Sequence, residues 1–162
     1  MKKEVTDLSE GLKLSSEVVV SCRNHAGENN ALVVAYATNC SFDPPMLMVG
    51  IVPSRYSYHM IKQTGAFVVN LVSEGLKEEF DYLGSHSGRN ENKLEKLGLN
   101  VEEGKEVDAP VLTDFPVNIE CEVVDSIMTG SHEMFAGEIK EIRANYELVN
   151  EDGEIDVSGI EI

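Results

Sequence analysis

The chain has 162 residues, with 13 Lys and Arg against 29 Asp and Glu, so its formal net charge is −16 at pH 7. This anionic excess excludes the clustered basic surface that binds nucleic acid or anionic membranes. Hydrophobic residues make up 42% and charged residues 26%, which predicts a single globular domain over residues 1–162. No stretch approaches the roughly 20 apolar residues of a membrane span. Three cysteines without CxxC spacing favour a reducing cytoplasm over a disulfide framework or a metal site.

The first half of the chain is predicted to be mostly β-strand. Four segments rich in β-branched and apolar residues predict strands: 17–22, 31–40, 46–52 and 66–72. A short helix over 55–64 separates the last two strands, with Ser54 as its N-cap and Gly65 as its C-terminal stop.

Two short helices are predicted next. Leu76, Phe80 and Leu83 recur at i, i+4 and i+7, which gives one helix a single apolar face. After a polar loop, Asn90 is predicted to cap a second helix that ends at Gly98.

The remaining chain returns to strands. The acidic stretch 99–116 contains two prolines and is predicted to be an extended surface connection. Residues 117–125 alternate between apolar and polar side chains, which predicts a half-exposed strand, and 134–144 alternates in the same way. The fold class is therefore mainly β, best described as a barrel with short helices inserted between its strands.

Two loops concentrate hydroxyl and basic side chains in a chain that has only four arginines. Hydroxyls, guanidinium groups and the free amides of a helix start together favour binding of an anion. The alternative is a pair of ordinary helix caps with solvated arginines. The residues concerned are Ser54, Arg55 and Ser57 in the first loop, and Ser87, Arg89 and Lys93 in the second.

A third candidate segment lies at the end of the strand 31–40. Small and polar residues there expose backbone N–H groups, against which a planar heterocycle can dock edge-on, although a plain turn between strands explains them equally well. The residues are Tyr36, Ala37, Thr38, Asn39, Cys40 and Ser41.

The order of these motifs resembles the flavin reductase-like, flavoredoxin-type family of FMN-binding split barrels. The resemblance covers roughly residues 15–145 and depends on the ordered set, because no single motif is specific. The motifs are Asn30-Ala31, SFDPP (41–45), PSRYSY (53–58), FVVN (67–70), SGRNENK (87–93), Ala109-Pro110 and GSHEMFAGEI (130–139).

The resemblance implies a split β-barrel that binds FMN non-covalently as a homodimer. It implies an FMN-dependent oxidoreductase, which passes electrons from NADH, NADPH or a protein donor to a flavin, ferric iron or a redox protein. A non-enzymatic electron carrier, or a flavin- or haem-binding module of the same fold, remains the alternative. Val33 departs from the family pattern, since many relatives carry a hydroxyl residue there.

The resemblance also implies roles for the candidate residues. Residues 36–41 would line the isoalloxazine ring, where backbone amides stabilise the reduced form. The first loop would meet the ribityl phosphate, and the second would close on the phosphate or the ribityl chain. His132 would lie near the flavin, where it can orient a nicotinamide or supply a proton. Cys40 is either a redox thiol or only a small apolar residue.

Overall fold

A computed structural model describes residues 2–4, 6, 7, 17–156 and 158. Strands dominate this part of the chain, and three α-helices interrupt them. In chain order the elements are β1 (Val18–Arg23), β2 (Asn29–Val34), β3 (Tyr36–Ser41), β4 (Met46–Ile51), α1 (Tyr56–Thr64), β5 (Ala66–Leu71), α2 (Lys77–Ser85), α3 (Lys93–Lys96), β6 (Val101–Glu103), β7 (Pro110–Leu112), β8 (Val117–Met128) and β9 (Glu133–Ala144).

Seven of the strands form one antiparallel sheet in the order β2-β1-β5-β8-β9-β4-β3. The two edge strands, β2 and β3, are consecutive in the chain and separated only by Ala35. A sheet whose two edges are joined by one residue has to curl until those edges approach each other. The predicted mainly β architecture is confirmed, and the curled sheet is open along the seam between β2 and β3.

The single strand predicted over 31–40 is wrong, because this segment forms two strands. Val34 pairs with Val18 on β1, whereas Tyr36 pairs with Gly50 on β4. These partners lie at opposite ends of the strand order, so the chain bends at Ala35 to leave one edge and begin the other.

Both faces of the sheet are buried near β1. Val18 and Val20 belong to the main core cluster, where α1 contributes Tyr58 and Ile61. Val19 points to the opposite face and packs in a second cluster with side chains from α2 and α3. Helix α1 therefore fills the inside of the curled sheet, while α2 and α3 cover its outside.

The predicted surface connection over 99–116 is wrong for its central part. Strands β6 and β7 pair as a separate two-stranded sheet, and Val111, Leu112 and Phe115 are fully buried. Burial of β7 adds apolar surface to the core, which outweighs the acidic character of its neighbours.

The covering segment also explains why the first part of β8 is not half-exposed as predicted, whereas Glu122, predicted on the same solvent face, is exposed. Asn118 and Glu120, expected on the solvent face, are buried. The Asn118 side-chain amide donates to the Leu112 carbonyl at 2.9 Å and to Asn70 Oδ1 at 2.8 Å, so the polar groups on this face have buried partners.

Two predicted helix caps are wrong by one or two residues. Arg55, not Ser54, is the N-cap of α1, because the Arg55 N–H closes a turn onto the Val52 carbonyl before the helix starts. Asn92, not Asn90, caps α3, and its side chain accepts from the Glu95 N–H at 3.2 Å. The predicted stop at Gly65 is confirmed, since its φ of 65° is left-handed.

Three further observations concern the described residues. None of their helices is both long enough and apolar enough to cross a membrane. Cys22, Cys40 and Cys121 are free thiols, and only Cys40 is exposed. The same residues contain no group of three or more His, Cys, Asp or Glu side chains that could hold a metal ion.

Candidate functional site

A pocket of about 230 Å³, here called the phosphate pocket for its chemistry, lies against the edge strand β2. One wall is the turn before α1 and the other is the loop between α2 and α3, so the structure brings the two predicted loops together. All six residues predicted in those loops line the pocket, namely Ser54, Arg55, Ser57, Ser87, Arg89 and Lys93.

The two arginines of this pocket are electrostatically available. Arg23 and Arg143, the other two arginines, form ion pairs with Glu103 and Glu102 respectively. In contrast, Arg55 and Arg89 form no ion pair within the part of the chain that the structure describes. Unneutralised guanidinium groups that share a concave pocket with hydroxyls favour binding of an anion such as a phosphate.

Asn30 and Tyr56 line the pocket although neither was among the site residues predicted from the sequence. Asn30 on β2 is buried, and its side-chain amide donates to the Ser57 hydroxyl at 2.8 Å. Tyr56 lies under the Arg89 guanidinium, whose carbon is 5.9 Å from the ring centroid. A polar residue at a core-facing position of an otherwise apolar strand is the signal that could have identified Asn30.

Gly88 allows the loop between α2 and α3 to approach Asn30 and Tyr56 closely. A Cβ built on Gly88 would lie 2.6 Å from Asn30 Oδ1 and 2.6 Å from Tyr56 Cδ1, so any side chain would push the loop away. The glycine therefore sets the separation between the two walls of the pocket.

The loop between α2 and α3 is held by its own side chains. The His86 imidazole stacks on Tyr82 with centroids 3.7 Å apart and planes inclined by 8°, and the Tyr82 hydroxyl donates to Glu91. His86 also lines the phosphate pocket, where it adds a further polar group beside the arginines.

Lys93 has a second set of contacts besides lining the pocket. Its side chain is buried, with 3% exposure, and Nζ donates to the Leu83 carbonyl at 3.0 Å and the His86 carbonyl at 2.9 Å. Burial lowers the pKa of Lys93 to about 8, and the positive charge of Arg55 acts in the same direction. The ammonium group thus holds the loop in place with two of its three N–H groups. One N–H is left for the phosphate contact that the sequence predicts.

His132 does not line the phosphate pocket. It lies in the turn between β8 and β9, where its ring packs on Tyr36 with centroids 4.5 Å apart, and its Nδ1 is 2.7 Å from the Ser131 hydroxyl. Register links this pair to the pocket, because Ile51 pairs with Glu133 and the chain continues from Ile51 directly into the first loop. The Tyr36–His132 pair and the phosphate pocket therefore lie at the same end of the sheet.

The rest of the third candidate segment extends away from this end. Residues 36–41 form edge strand β3 and not a turn, with Thr38, Asn39 and Cys40 exposed. The register shifts between Asn39 and Ser41, which places Cys40 in a β-bulge. Tyr36, the first residue of this strand, packs on His132, and none of residues 36–41 lines the phosphate pocket.

The fold is a curled antiparallel sheet with a basic, hydroxyl-lined pocket against its edge strand β2, and comparison with known sequences gives the family. The model of the flavin reductase-like domain matches residues 14–156. The chain belongs to this family. An uncharacterised protein of Archaeoglobus fulgidus is 36% identical over 140 residues, which cover 86% of this chain and 77% of that protein.

Relatives with assigned functions are more distant. The FMN reductase (NADH) RutF of Acinetobacter baylyi is 30% identical over 100 residues, which cover 62% of this chain and 51% of that protein. The chain spans about half the length of some of the curated relatives it matches.

Solved structures agree with the fold. The flavoredoxin of Desulfovibrio vulgaris (Miyazaki F) superposes with a TM-score of 0.86 at 29% identity, covering 98% of this chain and 85% of that one. A putative flavin reductase with a split barrel domain from Shewanella frigidimarina has a TM-score of 0.83 at 22% identity, with 93% and 78% covered. The predicted split barrel is thereby confirmed.

Proposed function

We propose that this chain binds FMN non-covalently and acts as an FMN-dependent oxidoreductase. In this proposal it passes electrons from a reduced nicotinamide or a protein donor to a flavin, ferric iron or redox-protein acceptor. The observation that carries the proposal is the pair of unneutralised arginines, Arg55 and Arg89, among hydroxyls in one pocket. The names of the Acinetobacter reductase and the Desulfovibrio flavoredoxin support the same activity.

The donor set of the phosphate pocket fits a phosphate monoester. Arg55 and Arg89 supply charge, and Ser54 and Ser87 supply hydroxyls on the two facing loops. Ser57 also lines the pocket, and its hydroxyl accepts from the Asn30 amide, which fixes its position there. These residues bind and orient the phosphate end of the ligand, while Lys93 fastens the second loop to the end of α2 and Gly88 allows that loop to approach Asn30 and Tyr56.

The Tyr36–His132 pair is proposed to contact the isoalloxazine end. The flavin, when bound, supplies the capacity to accept a hydride and release electrons singly or in pairs. His132 has one ring nitrogen, Nδ1, beside Ser131, which leaves Nε2 to hold or donate a proton. Tyr36 is 50% exposed and offers an aromatic surface beside that nitrogen.

A homodimer is part of the proposal. Several apolar side chains that would be buried by a partner are exposed in the single chain. They are Tyr36 and Phe42 at β3, and Val124, Ile127 and Met128 near the end of β8. The edge strand β3 also has backbone groups without a strand partner on its outer side in the described sheet. Light scattering at several protein concentrations tests this part, and a mass of one chain at every concentration would contradict it.

The test of the proposed function begins with the visible spectrum of the purified protein. We expect flavin absorption bands that are released as FMN on denaturation. A haem spectrum, or no chromophore after incubation with FMN, would contradict the proposal.

Anaerobic mixing with NADH and with NADPH tests the reductase reaction. We expect bleaching of the flavin band by at least one of them. If neither bleaches a flavin that dithionite does reduce, the protein is an electron carrier and not a nicotinamide-dependent reductase.

A cytoplasmic location, based on cysteine usage, is also part of the proposal.

A further inference from the structure

A second pocket, here called the side pocket, opens beside the phosphate pocket on the outer surface of α1. Its volume is about 250 Å³, and its walls are Asn24, Tyr56, His59, Met60, Gln63 and Arg89. Tyr56 and Arg89 also line the phosphate pocket, so the two pockets share one wall. Each volume alone is below the roughly 300–1,000 Å³ of typical small-molecule sites, whereas the two together fall within that range.

The side pocket presents flat and polarisable groups. The Tyr56 ring and the His59 imidazole can stack on an aromatic base, and the buried Met60 provides a thioether at the floor. Arg89 at the shared wall adds a positive charge where a ligand would cross from one pocket into the other.

Two side-chain amides give the pocket a hydrogen-bonding preference. Asn24 Oδ1 accepts from the Glu28 N–H at 3.0 Å, and Gln63 Oε1 accepts from the His25 N–H at 3.1 Å. Because their carbonyl oxygens are engaged in this way, both side chains have NH₂ groups left to donate. A donor-rich pocket with stacking surfaces favours a purine base, whose ring nitrogens are acceptors.

We propose that the side pocket binds the purine nucleoside half of a dinucleotide whose diphosphate lies beside Arg89, at the wall that the two pockets share. This inference extends the proposed function, since it takes the phosphate pocket to be a flavin or nucleotide phosphate site. The shared chemistry is an adenosine diphosphate group. That group occurs both in flavin adenine dinucleotide and in the nicotinamide dinucleotides.

Calorimetric titration of flavin-free protein tests the proposal with FMN, FAD and ADP as probes. If the pocket serves the flavin dinucleotide, we expect FAD to bind about tenfold more tightly than FMN, because stacking of one base contributes about 1–3 kcal/mol. The double variant His59→Ala/Gln63→Ala should bind FAD no more tightly than FMN and should leave the FMN affinity unchanged. It should also weaken ADP binding by a similar factor.

The variant is designed to preserve the fold. His59 and Gln63 are exposed positions of α1, and alanine favours helix. The matched control His25→Ala/Asn150→Ala removes one imidazole and one amide that line neither pocket, and it should retain the preference for FAD.

The source of the adenosine diphosphate group is distinguished by NADH titration of FMN-loaded protein. If the pocket serves the nicotinamide nucleotide, His59→Ala/Gln63→Ala raises the Kd for NADH and the FAD-to-FMN affinity ratio of the wild type is close to one. If it serves the flavin dinucleotide, the variant lowers that ratio and leaves the Kd for NADH unchanged.

Other outcomes separate the two proposals. If the variant weakens FMN and FAD equally, the side pocket holds part of FMN itself and the inference is wrong. If it changes neither FAD, NADH nor ADP binding, the pocket is a solvent groove and the inference is again wrong. If no flavin binds but ADP binds in a way that requires His59 and Gln63, the purine site survives and the proposed flavin function fails.

Discussion

The four arginines of this chain fall into two pairs with contrasting surroundings. On the side of the β6–β7 sheet, Arg23 contacts Glu103 and Asp108, and Arg143 contacts Glu102 and the fully buried Glu120. At the seam of the barrel, Arg55 and Arg89 share a pocket with serines and with the ammonium group of Lys93.

The contrast shows how an acidic chain marks a binding site. With 29 acidic residues against 13 basic ones, carboxylates are abundant enough to neutralise every guanidinium group. At the β6–β7 sheet, carboxylates neutralise both arginines, and these ion pairs hold the covering segment against the barrel. At the seam they do not, and the resulting accumulation of positive charge adds to burial in lowering the pKa of Lys93. A site that keeps unfavourable positive charge in the free protein is prepared for a negatively charged ligand.

The largest expected effect comes from removing Arg55 and Arg89 together. Arg55→Ala with Arg89→Ala should weaken FMN binding about 100-fold or more, because hydrogen bonds to charged groups contribute about 1.5–3 kcal/mol each. The free energy of unfolding should change by less than about 0.5 kcal/mol, since neither side chain has an ion pair to lose among the described residues. Fluorescence titration with FMN and urea unfolding measure the two quantities. The control Lys77→Ala/Lys105→Ala removes the same charge elsewhere, and an equal loss of affinity there would refute the assignment.

Removing Arg143, one of the two arginines beside the β6–β7 sheet, should give the opposite result. Arg143→Ala deprives the buried Glu120 carboxylate of its cationic partner, so we expect a loss of about 3 kcal/mol in unfolding free energy. FMN affinity should stay within about twofold, because Arg143 is not part of either pocket. Urea unfolding checks the first outcome. A stability close to wild type would mean that the ion pair does not anchor this region.

A smaller effect is expected from a change in the distance between the two walls of the phosphate pocket. Gly88→Ala places a methyl group against Asn30 and Tyr56, and the loop that carries Arg89 has to shift outward. We expect FMN affinity to fall about tenfold, in line with the usual cost of overpacking. Gly75→Ala is the matched control, because a Cβ at Gly75 meets no atom within 4 Å. Equal FMN affinity in the two variants would show that Gly88 does not set the spacing.

The smallest effect is a pH dependence that Lys93 introduces. Its pKa of about 8 means that the pocket loses a positive charge between about pH 7 and pH 9.5, so FMN affinity should fall about fivefold. The charged and titratable groups nearest to it are Arg55, Glu91 and the Cys22 thiol, and burial raises the pKa of Cys22 to about 12, above this window. In Lys93→Met the affinity should be nearly flat, after the titration of FMN itself is accounted for in both proteins. A parallel fall in the variant would contradict the assignment.

The same lysine affects stability in the opposite sense. Between about pH 8 and its ordinary pKa of 10.5, the unfolded chain holds a proton on Lys93 that the folded chain has lost. The contribution of this group to the free energy of unfolding therefore rises with pH across that window. Urea unfolding of the wild type and Lys93→Met at about pH 8 and pH 10 measures the difference.

The parts of the fold and site that local sequence determines could be predicted. Hydroxyl and basic residues cluster within a few positions of each other around Arg55 and Arg89, so the residue types alone identify the two walls of the pocket. Runs of β-branched and apolar residues similarly predicted β1, β4 and β5, and alternation predicted β9, with small errors at the ends of these strands.

The parts that depend on tertiary context could not. The bend at Ala35 follows from which strands pair at each edge, and nothing in ALVVAYATNC marks it. The burial of Asn118 and Glu120 requires β7 to cover them, and the burial of Lys93 requires the α2–α3 loop to fold over its ammonium group. Local periodicity does not encode contacts between segments distant in sequence.

The single-residue connection at Ala35 has a consequence for the geometry of the seam. Two antiparallel strands usually need at least a two-residue turn to pair with each other. One residue is too short for such a turn. The six antiparallel pairings of the sheet give β2 and β3 the same direction, so the chain continues from one edge strand into the other, and each pairs only with its own inner neighbour in the described sheet. The opening of the barrel is thus built into the chain length at one position. A turn long enough to pair β2 with β3 would reverse the direction of β3 and break its antiparallel pairing with β4, so the short connection keeps the two edges of the sheet apart.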